Sequence, residues 1–263
     1  MVLFKERIPY TAIVDRPKLT LPNNARMVVW TIINVEEWSN AGPMPRMVLP
    51  PPMGVPLLPD LPNWAWHEYG MRVGFWRLHD MFNRQGITPT MAINGIVCKN
   101  YPRIAHAARD SDWEFMGHGY IQGPMHKLDN QRESILKTHD AIASITGKPP
   151  LGWECPGLTE TEETIDILAE EGVKYTADWV LDDQPTHIKT SGGSIISVPY
   201  SLETNDIPIF ALQNHGSDAM YKRTVDQFEQ LYMESETIMR VMAISVHPYL
   251  SGVPHRIGYL EKI

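Results

Sequence analysis

The sequence predicts an α/β chain built on a parallel sheet, as a barrel or a doubly wound fold. Three observations predict it. Short apolar, β-branched segments alternate with helix-period segments along the chain. Three of the apolar segments run straight into a carboxylate or an imidazole: Val28–Ile33 into Asn34-Val35-Glu36, Trp113–Met116 into Gly117-His118-Gly119, and Val241–Val246 into His247-Pro248-Tyr249. At 263 residues and 43% hydrophobic content, the chain can bury one substantial core. No Gly/Ser linker, charge block or internal repeat marks a boundary, so a single domain over 1–263 is expected.

The elements follow in order. Ala25 to Ile33 reads as the first strand. A Pro-rich insertion, about 43–62, then interrupts the pattern; it can continue neither a helix nor a central strand. It is either a surface connection or a wall beside the site. Tyr69 to Gln85 carries Val73, Trp76, Leu78 and Phe82 at helical spacing, and Gly86 ends it. Thr88–Asn94 is the next strand, Tyr101–Arg109 a helix, and Trp113–Met116 a strand. Asn130 to Thr146 is a helix closed by Gly147, and Thr159 with Glu162 forms a capping-box pattern for a helix to Glu171. Val173–Thr176, Ile195–Pro199 and Val241–Val246 are strands, with a helix over about Thr224–Met239. A barrel calls for one more helix after the His247 loop, so the closing element is expected to be short or the chain cut short.

Bulk properties exclude several functions. The formal net charge of -8 disfavours nucleic acid, which needs clustered Lys and Arg, and suits a neutral or cationic small molecule. Cys98 and Cys155 are far apart and form no zinc-knuckle or disulfide pattern. The first residues contain no apolar leader and eighteen apolar residues never run together, so no membrane association and a cytoplasmic location are expected. Pro, Met and Trp residues in 43–66 would suit a subunit contact, hence an expected homo-oligomer.

Chemistry concentrates at the strand ends. Asn34 and Glu36 lie on one side of an extended chain, because side chains alternate with period two. Glu36 suits a general base, a metal ligand or a binder of substrate amides. His118 and Gln122 are four apart in a Gly-containing turn; a metal site would prefer histidine at both positions. Glu154, in Gly152-Trp153-Glu154-Cys155-Pro156-Gly157, faces the site or solvent. Cys155 has no activating base in the sequence and reads as a small buried residue. Trp38, Trp153 and Trp179 are walls of the site or pieces of core. Glu36, His118 and His247 are expected to share one pocket at the C-terminal end of the parallel strands, where barrel chemistry gathers.

The succession Asn34-Val35-Glu36, Gly117-His118-Gly119-Tyr120, Gly152 to Gly157, Asp178-Trp179 and Ser245-Val246-His247-Pro248 resembles the polysaccharide deacetylases of carbohydrate esterase family 4, the NodB-homology fold. Tyr69 to Arg77 and His247 to Arg256 are similar to the branch containing cofactor-independent bacterial allantoinases. The resemblance covers roughly Ala25 to Arg256. It implies a distorted (β/α) barrel of about seven strands. It also implies that Asn34 and Glu36 stand at the family's base and metal-ligand carboxylates, and His118 and Gln122 at its His-x-x-x-His pair. Glu154 to Gly157 stands at its Arg-x-Pro-x-Gly motif, without the arginine, while the final histidine survives as His247.

The reading that follows is a hydrolase of a non-peptide C–N bond in a small-molecule substrate, a cyclic amide or ureide ahead of an N-acetyl group. Glu36 is its base, and His118 and His247 are its proton donors or oxyanion stabilisers. Asn34, Trp38, Gln122, Trp153, Glu154 and Trp179 are the candidate substrate contacts. No cofactor is expected; a zinc, if held, would sit weakly on Glu36, His118 and Gln122. The rivals are a catalytically retired ligand-binding barrel and a metal-dependent polysaccharide deacetylase.

Overall fold

A computed structural model describes residues 4–263. Eight strands form one sheet: β1 (Met27–Val35), β2 (Thr90–Ile93), β3 (Glu114–Gly117), β4 (Gly152–Trp153), β5 (Tyr175–Thr176), β6 (Thr186–Thr190), β7 (Gly193–Ser197) and β8 (Arg240–Val246). Their order across the sheet is β6-β7-β5-β4-β3-β2-β1-β8. From β7 to β8 the seven neighbouring strands are parallel, and β6 adds one antiparallel edge. Helices cover the outside, so the sheet curls into a half-closed, distorted α/β barrel.

Among the described residues, no strand pairs with the free edge of β8. Loop residues cover it instead: the Val241 and Ser245 amides donate to the Asp183 and Thr204 carbonyls (2.8 and 3.0 Å), and Gln184 Nε2 donates to the Met239 carbonyl. The barrel is sealed there by irregular chain carrying its own hydrogen bonds, which satisfies an edge that burial would otherwise penalise.

The inner face of the sheet is set by strand parity. Ile32, Ala92, Met116, Ala177 and Ala243, with Tyr200, form a buried interior plug. Two residues further on along the respective strands come Asn34, Asn94, His118 and Ser245, and two beyond those Glu36 and His247. Period-two alternation therefore turns an apolar layer into a polar one at the C-terminal end of the barrel. The larger core lies outside the sheet, where Phe75, Leu78, Met81 and Phe82 pack with Met91, Ile104 and Trp113.

Several boundaries differ from those the sequence suggests, each for a physical reason. The helix expected from Tyr69 begins at Leu61 and runs, through a wider turn at Gly70–Gly74, to Gln85. Pro62 is tolerated in its first turn, and the Asp60 carboxylate caps it by accepting from the Asn63 amide. The helix expected from Thr159 spans only Thr164–Glu170. Thr159 spends its hydroxyl on the Pro156 carbonyl and the Met125 amide rather than on a cap. The helix expected over 224–239 is Ala219–Glu234, and the strand near Ile195 is half of the β6–β7 hairpin. A further helix, Pro254–Leu260, follows the His247 loop. No helix among the described residues is long and apolar enough to cross a membrane.

Candidate active site

Glu36, His118 and His247 meet in one cavity of about 760 Å³ at the C-terminal end of the strands. Each follows the last residue of its strand, so the sheet itself fixes the spacing. Gly117 is required for this: a Cβ there would sit 2.4 Å from the Trp153 ring, and β3 could not lie where it does. Gly119 takes φ +69, which turns the chain away after His118 at no steric cost.

The three side chains form a symmetric arrangement about one oxygen. Glu36 Oε1 lies 3.6 Å from His118 Nε2 and 3.5 Å from His247 Nε2. Both imidazoles are anchored from behind. His118 Nδ1 donates to the Glu154 carbonyl (2.8 Å), and His247 Nδ1 to Asp206 Oδ1 (2.7 Å). Each back contact puts a proton on Nδ1 and aims Nε2 at Glu36. Asp206 is fully buried, and its Oδ2 accepts from the His247 amide and the Ser251 hydroxyl, both at 2.7 Å.

Charge follows from that geometry. Burial alone would raise the Glu36 carboxyl, but the two imidazoles outweigh it and hold it well below the usual carboxylate range. Burial opposes protonation of both histidines. Asp206 and Glu36 nevertheless raise His247 to about 10, and Glu36 with Glu154 raises His118. Near neutral pH the cavity floor is a carboxylate flanked by the His247 imidazolium and by His118, whose protonated form the same carboxylate favours.

A second carboxyl faces this group. Glu154 is buried, lines the cavity, and has an Oε2 with no hydrogen-bond partner among the described residues. Burial raises its carboxyl to about 7, with Asp178 adding to the rise and His118 and His247 opposing it. The Tyr200 hydroxyl acts on it from the end of a chain: Asn34 Nδ2 donates to Ser245 Oγ (2.7 Å), which is 2.8 Å from Tyr200 Oη. Asn205 Nδ2 also donates to Tyr200 Oη (2.9 Å). These contacts leave the tyrosine proton free to turn towards Glu154.

The remaining candidates divide. Gln122 lines the cavity and spans two partners: its Nε2 donates to Glu36 Oε1 (2.9 Å) and its Oε1 accepts from Asn94 Nδ2 (3.1 Å). Asn34 lies beneath the cavity with its Oδ1 unpartnered. Trp38 is buried behind Glu36 and donates Nε1 to Glu36 Oε2 (2.7 Å), so it orients the carboxylate rather than forming the wall. Trp153 does not reach the cavity. It adjoins the inward-facing Glu154 on a strand, so it must face outward, and it fills a core with Ile135, Ile165 and Leu168. Trp179 also lies away from the cavity, packed edge-on against Phe4 with its Nε1 on Glu160. Asp206 and Tyr200 are the residues that the sequence reading missed: Tyr200 follows β7 by three residues, so a strand end could have pointed to it, whereas Asp206 comes from the irregular stretch beyond.

The expected zinc ligands do not fit a zinc. Gln122 turns an N–H, not a lone pair, towards Glu36, and its only ligating oxygen is taken by Asn94. Glu36 Oε2 is taken by Trp38. Among the described residues, the cluster of His, Cys, Asp or Glu with ligating atoms all within 4.8 Å of one another is Cys155, Glu160 and Asp178; Glu36, His118 and His247 do not form one. The two Nε2 atoms therefore stand more than 4.8 Å apart, on different sides of Glu36. Two nitrogens at about 2.1 Å from one zinc can be at most about 4.2 Å apart. The Cys155 cluster is set back from the cavity; burial holds its thiol and both carboxyls above their usual ranges, which disfavours the deprotonated ligands a metal needs.

Comparisons with known proteins agree with this architecture. The profile of the polysaccharide deacetylase family matches residues 67–176. A peptidoglycan deacetylase-like protein of Gibberella zeae is 32% identical over 230 residues, covering 72% of this chain and 68% of that protein. Among solved structures, a probable polysaccharide deacetylase from Pseudomonas aeruginosa PAO1 has TM-score 0.83 at 25% identity, over 94% of this chain and 87% of its own. PuuE allantoinase has TM-score 0.82 at 24% identity, over 100% and 88%.

Proposed function

The chain belongs to the polysaccharide deacetylase family, and within that family we propose that it hydrolyses a non-peptide C–N bond by acid–base chemistry on its own side chains, a cyclic amide or ureide being the best fit. The observation that carries this reading is the convergence of two anchored imidazole Nε2 atoms on one oxygen of Glu36. Glu154, whose Oε2 has no partner among the described residues, lines the same cavity. A carbonyl with an N–H beside it would suit the imidazole donors and this acceptor together.

Each residue then has a part. A carboxylate held well below its usual range is a poor proton acceptor, so Glu36 serves as a fixed anion that orients the water or a substrate N–H. Glu154, near 7, is matched to proton transfer at neutral pH. Water attacks the carbonyl carbon and gives its proton to Glu154. The Nε2–H groups of His118 and His247 hydrogen-bond the oxygen that gains charge. As the C–N bond breaks, Glu154 hands the proton to the departing nitrogen, and the site regains its starting protonation. The family's zinc would serve as a Lewis acid at such a site; the donors present here do not fit it, and no step above uses one.

The test is turnover of a panel of cyclic amides, ureides and acetylated sugars by the purified protein. The reading expects a substrate among the first two classes and a fall of about 10²-fold or more in Glu36→Ala and His118→Ala, the scale for losing a group of this kind. Inactivity across the whole panel would sink it in favour of a ligand-binding barrel.

A further inference from the structure

The mouth of the cavity is charged oppositely to the molecule as a whole. Arg46, from the Pro-rich segment, and Lys127, from the loop after β3, both line it. Arg7, Arg16, Arg132 and Arg240 elsewhere sit on carboxylates. Arg46 forms no ion pair among the described residues, and its one hydrogen bond is a long contact of 3.5 Å to the adjacent Pro45 carbonyl. A half-buried guanidinium beside a cavity normally finds a carboxylate, because leaving its donors unfilled costs desolvation.

Beside it lies a second unfilled donor. Tyr249 lines the same cavity, is 2% exposed, and its hydroxyl has no hydrogen-bond partner among the described residues. Its ring is fixed edge-on against Trp38 and Trp66 and against His247, so the hydroxyl cannot swing away to solvent. Burial and the charges of Glu36 and Asp206 hold that phenol protonated, as a donor, and the charge of Arg46 acts on it in the opposite sense. A guanidinium and a rigid phenol together make a donor set suited to a carboxylate.

We infer that the substrate carries a carboxylate besides its scissile C–N bond, and that Arg46 and Tyr249 seat that carboxylate at the cavity mouth. The inference rests on the C–N hydrolase reading for the other end of the molecule. It also fixes the direction of entry. The scissile carbonyl must reach His118 and His247 on the floor, so that end goes in first and the acid stays at the rim, with Lys127 adding attraction from outside. The formal net charge of -8, taken alone, favours a neutral or cationic ligand. Distant surface charges are screened over about 8–10 Å, however, so the cations at the mouth dominate there.

Two matched pairs test this: hydantoin against 5-carboxymethylhydantoin, and N-acetylglucosamine against N-acetylmuramic acid. Binding is measured by calorimetry at low and high salt, and turnover is followed separately. In wild type, the acid of one pair should bind about 10- to 100-fold tighter than its neutral partner, the scale of a charge-assisted contact, and the preference should shrink with salt. Arg46→Ala should bring that ratio near one, Arg46→Lys should restore part of it, and Tyr249→Phe should reduce it while keeping the ring. Which pair shows the preference separates a ureide acid from a sugar acid. Equal binding within both pairs, no binding of either acid, or a preference that survives Arg46→Ala overturns the carboxylate seat. Selective binding of an acid without turnover of any compound overturns the hydrolase reading and leaves the seat standing.

Discussion

Replacing Asp206 by asparagine should release the proton that the site holds on His247. In the wild type this imidazole is raised from an ordinary 6.5 to about 10, against burial, by the charge and hydrogen bond of Asp206 and by Glu36. At about 1.4 kcal/mol per pH unit, that is at most about 5 kcal/mol of preference for the imidazolium. The sign follows from linkage. A group whose folded value lies above its unfolded one contributes stability fully below about 6.5 and loses it as pH rises through about 10. The asparagine would remove the charge and turn an NH₂ towards either Nδ1 or the His247 amide and Ser251 hydroxyl, which now share the other carboxylate oxygen. Breaking a buried, hydrogen-bonded ion pair costs about 3 to 5 kcal/mol. Urea unfolding at pH 7 should therefore show Asp206→Asn less stable by that amount, and the difference should narrow at pH 10. Imidazole NMR should show His247 protonated past pH 8 in wild type and titrating well below that in the variant. A wild-type His247 that titrates near 6.5, or a stability difference unchanged between pH 7 and 10, would refute the argument.

Three further outcomes are expected. Gln122→His should raise zinc affinity at least about 10-fold, since imidazole is the better zinc donor and position 122 already faces Glu36; unchanged calorimetric affinity would show that the turn does not aim this position inward. Gly117→Ala should cost about 1 to 3 kcal/mol in urea unfolding, or more, because its Cβ meets the Trp153 ring at 2.4 Å; a neutral effect would mean that β3 and Trp153 are not packed as described. With a substrate in hand, kcat/KM should rise with pH through about 7 as Glu154 becomes able to accept a proton. Glu154→Gln should abolish that limb, whereas an unchanged profile would remove Glu154 from the proton transfer.

What the sequence discloses follows the strength of its local signals. β1, β3 and β8 are apolar runs ending in polar residues, so Glu36, His118 and His247 can be placed at one end of the sheet before any coordinates. The single-residue parity of a strand is less legible. Nothing in Gly152-Trp153-Glu154 says which neighbour faces inward until the pairing of β4 with β3 is known. The start of the helix at Leu61 is hidden because Pro59 and Pro62 read as continued loop, although Pro62 in a first turn favours a helix. Asp206 is least legible of all: it reaches His247 through the irregular chain that seals β8, and only the closed barrel brings them together.

A site in which Gln122 offers an N–H where a metal ligand would be needed should break its C–N bond without a metal. The most direct test is the rate of substrate hydrolysis after prolonged chelation and dialysis, with zinc content measured on the same sample. The rate should be undiminished in protein free of zinc, with no gain when zinc is returned. Activity lost to the chelator and restored by zinc would contradict this expectation and make this protein a metal-dependent deacetylase.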